Sequence, residues 1–133
     1  MAGLDPAILE RRGDDGVKPG HDEIMSGSLG DSLARLWATI EARRGASPDS
    51  SYTAKLLAAG PAGVARKLGE ESLEAIIEAV KGDTAALTRE SADLLYHLLV
   101  LWEATGLKPD DVAAELTRRE GVSGIAEKRR REG

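Results

Sequence analysis

Residues 94–102, LLYHLLVLW, are apolar almost all the way round when wound into a helix, and a helix of that kind must be covered on most of its sides. The segment lies inside a longer helical stretch, about 84–105, with Asp83 as its N-cap and Gly106 as its stop. The chain has two Trp, two Tyr and no Phe (Trp37, Trp102, Tyr52, Tyr96), so Ala and Leu must supply the cover. Such residues favour close-packed helices over a β-sandwich, which draws on aromatic and β-branched side chains. No segment alternates convincingly at period two. The expectation is an all-α fold, a bundle of about five helices, in a chain whose 133 residues make one domain by length.

The other helices follow from apolar spacing and stop signals. Leu29, Leu33, Leu36, Trp37 and Ile40 mark an amphipathic first helix ending near Arg44 and Gly45. ASPDSS is a loop, YTAKLLAAG a short helix or turn closing at Gly60, and Pro61 opens a third helix that runs to Lys81 and Gly82. Pro109 opens the fifth, which closes at Gly121 before a basic tail, EKRRRE. Residues 1–28 are rich in Gly, Asp and Pro and hold no sustained apolar period, so they read as a flexible N-terminal extension in which His21 is inert. Met25 is an alternative start, and residues 29–133 form the folded domain.

Several function classes drop out. Without Cys the chain has no disulfide, thiolate zinc site or cysteine nucleophile. No stretch approaches the roughly 20 apolar residues of a membrane span, and a cytoplasmic location with no membrane partner is expected. A net charge of -5 argues against sequence-independent binding to nucleic acid.

The acidic residues are harder to place. In KLGEESLEAIIEAVKGD (67–83), Leu73, Ile76, Ile77 and Val80 share the arc expected to be buried. Glu70, Glu71, Glu74 and Glu78 crowd the adjoining arc, with only Lys67 and Lys81 close enough to relieve them. In the next helix Glu90 projects among Leu87, Leu94 and Leu101, with Asp93 and His97 alongside. A two-residue turn makes these helices antiparallel neighbours, so the pairs Glu71/Glu74 and Glu90/Asp93 are able to meet. One such pair alone is most often a solvated face. Carboxylates on an apolar helix, however, must be paired, protonated or metal-bound. An oxygen-only donor set suits Mg²⁺ or Mn²⁺. His97 is a ligand or, on the favoured reading, a core histidine bonded to Asp93 one turn away.

At this point the residues resemble a family. ESLE (71–74) and, after fifteen intervening residues, ESAD (90–93) match the E-x-x-E…E-x-x-D signature of the MazG-like all-α NTP pyrophosphatases. SYTAKLLAAG, ARKLGEESLEAIIEA, ADLLYHLLVLW and RREGVSGIAEKRRR are similar to the phosphoribosyl-ATP pyrophosphohydrolases of histidine biosynthesis. Leu68 and Ser72 depart from residues common there, away from the chemistry.

The resemblance implies Mg²⁺-dependent hydrolysis of phosphoribosyl-ATP to phosphoribosyl-AMP and pyrophosphate, by a helical-bundle homodimer. It implies metal ligation by Glu71, Glu74, Glu90 and Asp93, and handling of the water by Glu70 or Glu74. Phosphate contacts would come from Tyr52, Thr53, Lys55 and Lys67, with Arg66 as a further cation. Some relatives carry a fused cyclohydrolase with cysteine ligands, so a Cys-free chain is expected to stand alone and pass its product to a separate phosphoribosyl-AMP cyclohydrolase. The surplus of apolar surface at Leu95, Leu99 and Trp102 independently suggests pairing of two copies. Two other readings remain: a house-cleaning nucleotide pyrophosphatase acting on dUTP, dCTP or damaged NTPs, and a non-catalytic helical dimerisation module.

Overall fold

The structure, a computed structural model, describes residues 27–122 and 124–132. Five helices run in the order α1 Leu29–Ala42, α2 Tyr52–Lys81, α3 Thr84–Thr105, α4 Pro109–Arg119 and α5 Gly124–Glu132. No strand occurs among the described residues, and the all-α expectation holds. The flexible extension expected over residues 1–28, with His21, lies outside the described residues except at Gly27 and Ser28. Ser28 belongs to the folded part: its hydroxyl accepts from the Asp31 N–H at 3.1 Å and caps α1.

Local signals set the boundaries. Gly82 and Gly106 end α2 and α3 with φ of 79° and 81°, a left-handed conformation that costs glycine little. Asp83 then caps α3 by accepting from the Ala86 N–H at 2.9 Å. Within α2, Gly60 has φ 85° and ψ 174°, so two helical segments meet there, the second opened by Pro61. The fifth expected helix stops at Arg119, and the basic residues near the C-terminus lie in a helix of their own, α5.

Helix α3 is the axis of the molecule. It packs extensively against the antiparallel α2, and α1 covers a second side. Ile40, Leu56, Val64, Tyr96, Leu99 and Val100 form the buried core, flanked by Leu33, Leu36, Trp37 and Trp102. Arg44, just beyond α1, fastens that helix to α3 through an ion pair with the Glu103 carboxylate and a 2.7 Å bond from Nη2 to the Glu103 carbonyl. The surplus expected at Leu95, Leu99 and Trp102 is partly met within the chain. Leu99 is buried, while Leu95 and Trp102 line a cavity of about 600 Å³ shared with Leu33 and Trp37 of α1 and Val112 and Leu116 of α4.

One expectation is reversed. Leu73, Ile76, Ile77 and Val80 are not buried: their exposures are 58, 59, 45 and 82 per cent. Helix α2 instead turns Val64, Glu71 and Ala75 inward. Rotating it so bends the acidic stripe into the seam with α3 and leaves the aliphatic stripe outside.

Candidate metal centre

Three carboxylates converge on the α2–α3 seam. Glu71 of α2 and Glu90 and Asp93 of α3 each offer an oxygen, and these atoms lie within 4.8 Å of one another. The spacing of Glu90 and Asp93 puts both on one side of α3, and the Gly82–Asp83 turn folds α2 back to bring Glu71 opposite. Glu71 is fully buried and Asp93 nearly so. Both oxygens of Glu71, Oε1 of Glu90 and Oδ2 of Asp93 are enclosed without a hydrogen-bond partner.

Such an arrangement is costly for the chain alone. Burial pushes the Glu71 carboxyl up to about 7, with the Glu74 and Asp93 charges and contact with Glu90 adding to the effect. Two ionised carboxylates have no donor between them, so without a cation they pair only by sharing a proton. Burial, then Glu90, likewise raises Asp93. The donor set is all oxygen, enclosed and short of positive charge, which fits a hard divalent cation.

The other expected residues divide. Glu74 is half-buried beside the three, close enough to raise Glu71 and Asp93, yet outside the converging set. Glu70 is exposed and faces the Lys67 ammonium at 3.6 Å. Lys67 is half-buried at the seam, and its charge acts on Tyr52, Asp93 and His97 alike. Tyr52 is half-buried; burial raises its phenol, while Lys67 opposes this and Glu71, Glu70 and Asp93 add to it, which places the ring at the same site. Lys55 and Arg66 are exposed. Thr53 is fully buried, its hydroxyl 2.5 Å from that of Tyr96, so it braces the helix start rather than opening to solvent.

Sequence reasoning missed an aromatic clamp. The Tyr96 and Tyr52 rings meet the His97 ring edge-on, at centroid separations of 4.9 and 6.3 Å. His97 is fully buried and bonds Asp93 as expected, though through its backbone carbonyl, 2.8 Å from Nδ1. Burial lowers the imidazole, so it is held neutral despite that bond. The available signal was the pair Tyr96-His97 inside an otherwise aliphatic run.

Comparison with known proteins identifies the family. The sequence profile of the phosphoribosyl-ATP pyrophosphohydrolase family matches residues 33–120. Proteins named phosphoribosyl-ATP pyrophosphatase are similar over most of their length. The one from Azospirillum brasilense is 60% identical over 99 residues, covering 74% of this chain and 89% of the relative. Those from Dinoroseobacter shibae and Cereibacter sphaeroides are 67% and 65% identical over 96 residues, covering 72% of this chain and 94% and 93% of the relatives.

Proposed function

We propose, from the premise that this chain belongs to the phosphoribosyl-ATP pyrophosphohydrolase family, that it hydrolyses phosphoribosyl-ATP to phosphoribosyl-AMP and pyrophosphate in histidine biosynthesis. The observation that carries the chemistry is the set of buried carboxylate oxygens of Glu71, Glu90 and Asp93, close together and without partners. These three residues would hold Mg²⁺, or Mn²⁺ in its place, with Glu74 adjacent as a fourth donor. When bound, the cation neutralises charge on the phosphate oxygens and favours departure of pyrophosphate.

The chain's own groups do the rest. Hydrolysis breaks one phosphorus–oxygen bond of the α–β linkage, and the attacking water gives up a proton. Glu74, half-buried at the edge of the seam, is the acid placed to orient that water and accept the proton. Glu70 is the alternative, held by Lys67. Lys67 and the Tyr52 hydroxyl face the seam from α2 and suit phosphate oxygens, and Lys55 and Arg66 are exposed for the same use. Thr53 supports Tyr96 and makes no direct contact.

The active form is a homodimer in the cytoplasm. Leu73, Ile76, Ile77 and Val80 form an exposed aliphatic stripe on the outer face of α2, of the kind that marks an interface. No described helix is long and apolar enough to cross a membrane. The product, phosphoribosyl-AMP, is the substrate of a phosphoribosyl-AMP cyclohydrolase activity.

Pyrophosphate release measured with phosphoribosyl-ATP, dUTP and dCTP, each with and without Mg²⁺, tests the reading. Mg²⁺-dependent turnover of phosphoribosyl-ATP alone is expected. Preference for dUTP or dCTP would favour a house-cleaning role, and no turnover of any of them would favour a non-catalytic module. Light scattering at micromolar concentration should give the mass of two chains; one chain would remove the dimer.

A further inference from the structure

The three carboxylates do not account for every buried polar atom on the seam. His97 is completely enclosed, and its Nδ1 meets a backbone carbonyl. A carbonyl only accepts, so Nδ1 carries the proton, and the Nε2 of the neutral ring is a bare lone pair. That lone pair has neither solvent nor partner. An acceptor left in this state costs about 1–3 kcal/mol, and a Leu or Met would fill the space without it.

Its position says what it is for. Among the described residues, buried side-chain polar atoms without a hydrogen-bond partner belong to Glu71, Glu78, Glu90, Asp93 and His97. Glu78 has the Lys81 ammonium at 3.3 Å, an ion pair without hydrogen-bond alignment. On α3, Glu90, Asp93 and His97 follow one another at three and four residues and share one stripe. His97 nevertheless lies outside the converging oxygen set of Glu71, Glu90 and Asp93. Its nitrogens do not join that set, so a link from Nε2, one helical turn from Asp93, to the cation would run through a water. Hard divalent cations keep such waters.

We infer that His97 is a positioning residue for the bound cation: Nε2 accepts a hydrogen bond from a water in the cation's shell, while Nδ1–H holds the Asp93 carbonyl. This rests on the reading that Glu71, Glu90 and Asp93 hold a divalent cation. Tyr96 and Tyr52, packed edge-on against the ring, keep it from turning. One histidine thus ties the backbone beneath a ligand to the water beside it.

Mn²⁺ binding to the full chain, followed by the paramagnetic resonance of free ion, separates the two nitrogens. His97→Asn keeps a donor near Nδ1 and places nothing at Nε2; it should bind about ten-fold more weakly. His97→Gln returns an amide to the position of Nε2 and should stay within about three-fold of the parent. A merely structural histidine gives the reverse ranking, since Asn then preserves what matters. The unsubstituted protein supplies a second readout, the ring ¹⁵N resonances of His97: adding Mg²⁺ should move Nε2 and leave Nδ1 nearly still. A reversed ranking, an Asn variant equal to the parent, or an Nε2 resonance unmoved by saturating Mg²⁺ overturns the inference, and the last decides even when the variants fail to fold. Saturable parent binding with an unmoved Nε2 overturns this inference alone. A parent that binds no Mn²⁺ removes the cation site with it.

Discussion

Helix α3 buries an acid near each end, and the two are treated differently. Glu103, where α1 closes on α3, is met by the Arg44 guanidinium and keeps no unsatisfied oxygen. Glu90 and Asp93, with Glu71 opposite, converge on one another, with, among the described residues, only the more distant charge of Lys67 opposing them at Asp93. A buried carboxylate with its cation supplied in the chain is part of the architecture. One whose cation is missing from the chain is a candidate binding site. The fold tolerates the second because the first, with the Ile40–Val64–Val100 core, holds the helices regardless.

Substituting at the seam should produce the largest effect. Glu71→Gln keeps the shape and removes a charge from the converging set, so turnover should fall by about 100-fold or more. Melting of the metal-free protein should stay level or rise, because a buried unpaired charge has gone. Turnover within a few-fold of the parent would place Glu71 in the same class as Glu103. Arg44→Ala is the opposite experiment. It leaves Glu103 without its partner and should cost about 2 kcal/mol by denaturant unfolding, the partial exposure of Arg44 softening the loss. Turnover per folded molecule should be nearly unchanged, and a loss of turnover at full folding would blur the distinction between the two ends.

A smaller effect should appear with pH. Glu71 titrates near 7 in the metal-free fold, against roughly 4.3 in an unfolded chain. Between these values the folded state holds the extra proton, so stability falls as pH rises. The metal-free melting temperature should therefore drop by several degrees from pH 5 to 7.5, and saturating Mg²⁺ should remove most of the drop. A metal-free melting temperature that rises over this range would contradict the unpaired state of the seam. The smallest effect expected is that of Thr53→Val, which removes the hydrogen bond between the Thr53 and Tyr96 hydroxyls for about 1 kcal/mol, with turnover within a few-fold. A hundred-fold loss of turnover would return Thr53 to the substrate.

Much of this was legible in the sequence, for identifiable reasons. The turn at Gly82 and Asp83 and the stop at Gly106 depend on neighbouring residues only, and they fall where expected. Convergence of Glu71, Glu90 and Asp93 follows from helical spacing plus one tight turn. The rotation of α2 was hidden, because its aliphatic and acidic arcs adjoin and a pattern does not say which one a neighbour takes. Thr53 was hidden for a similar reason: a hydroxyl in a first helical turn looks the same whether it meets solvent or a tyrosine 43 residues away. The Arg44–Glu103 pair spans 59 residues and has no local signature. The bare nitrogen of His97 emerges only once its other nitrogen is seen to be engaged.

The central claim is that the seam is completed by a cation, and calorimetric titration of Mg²⁺ into the full chain at pH 7, repeated in buffers of different ionisation enthalpy, tests it most directly. Saturable binding that releases protons is expected, since Glu71 gives up the one it shares, together with loss of both signals in Glu71→Gln. Binding that does not saturate, or that persists unchanged in Glu71→Gln, would contradict it.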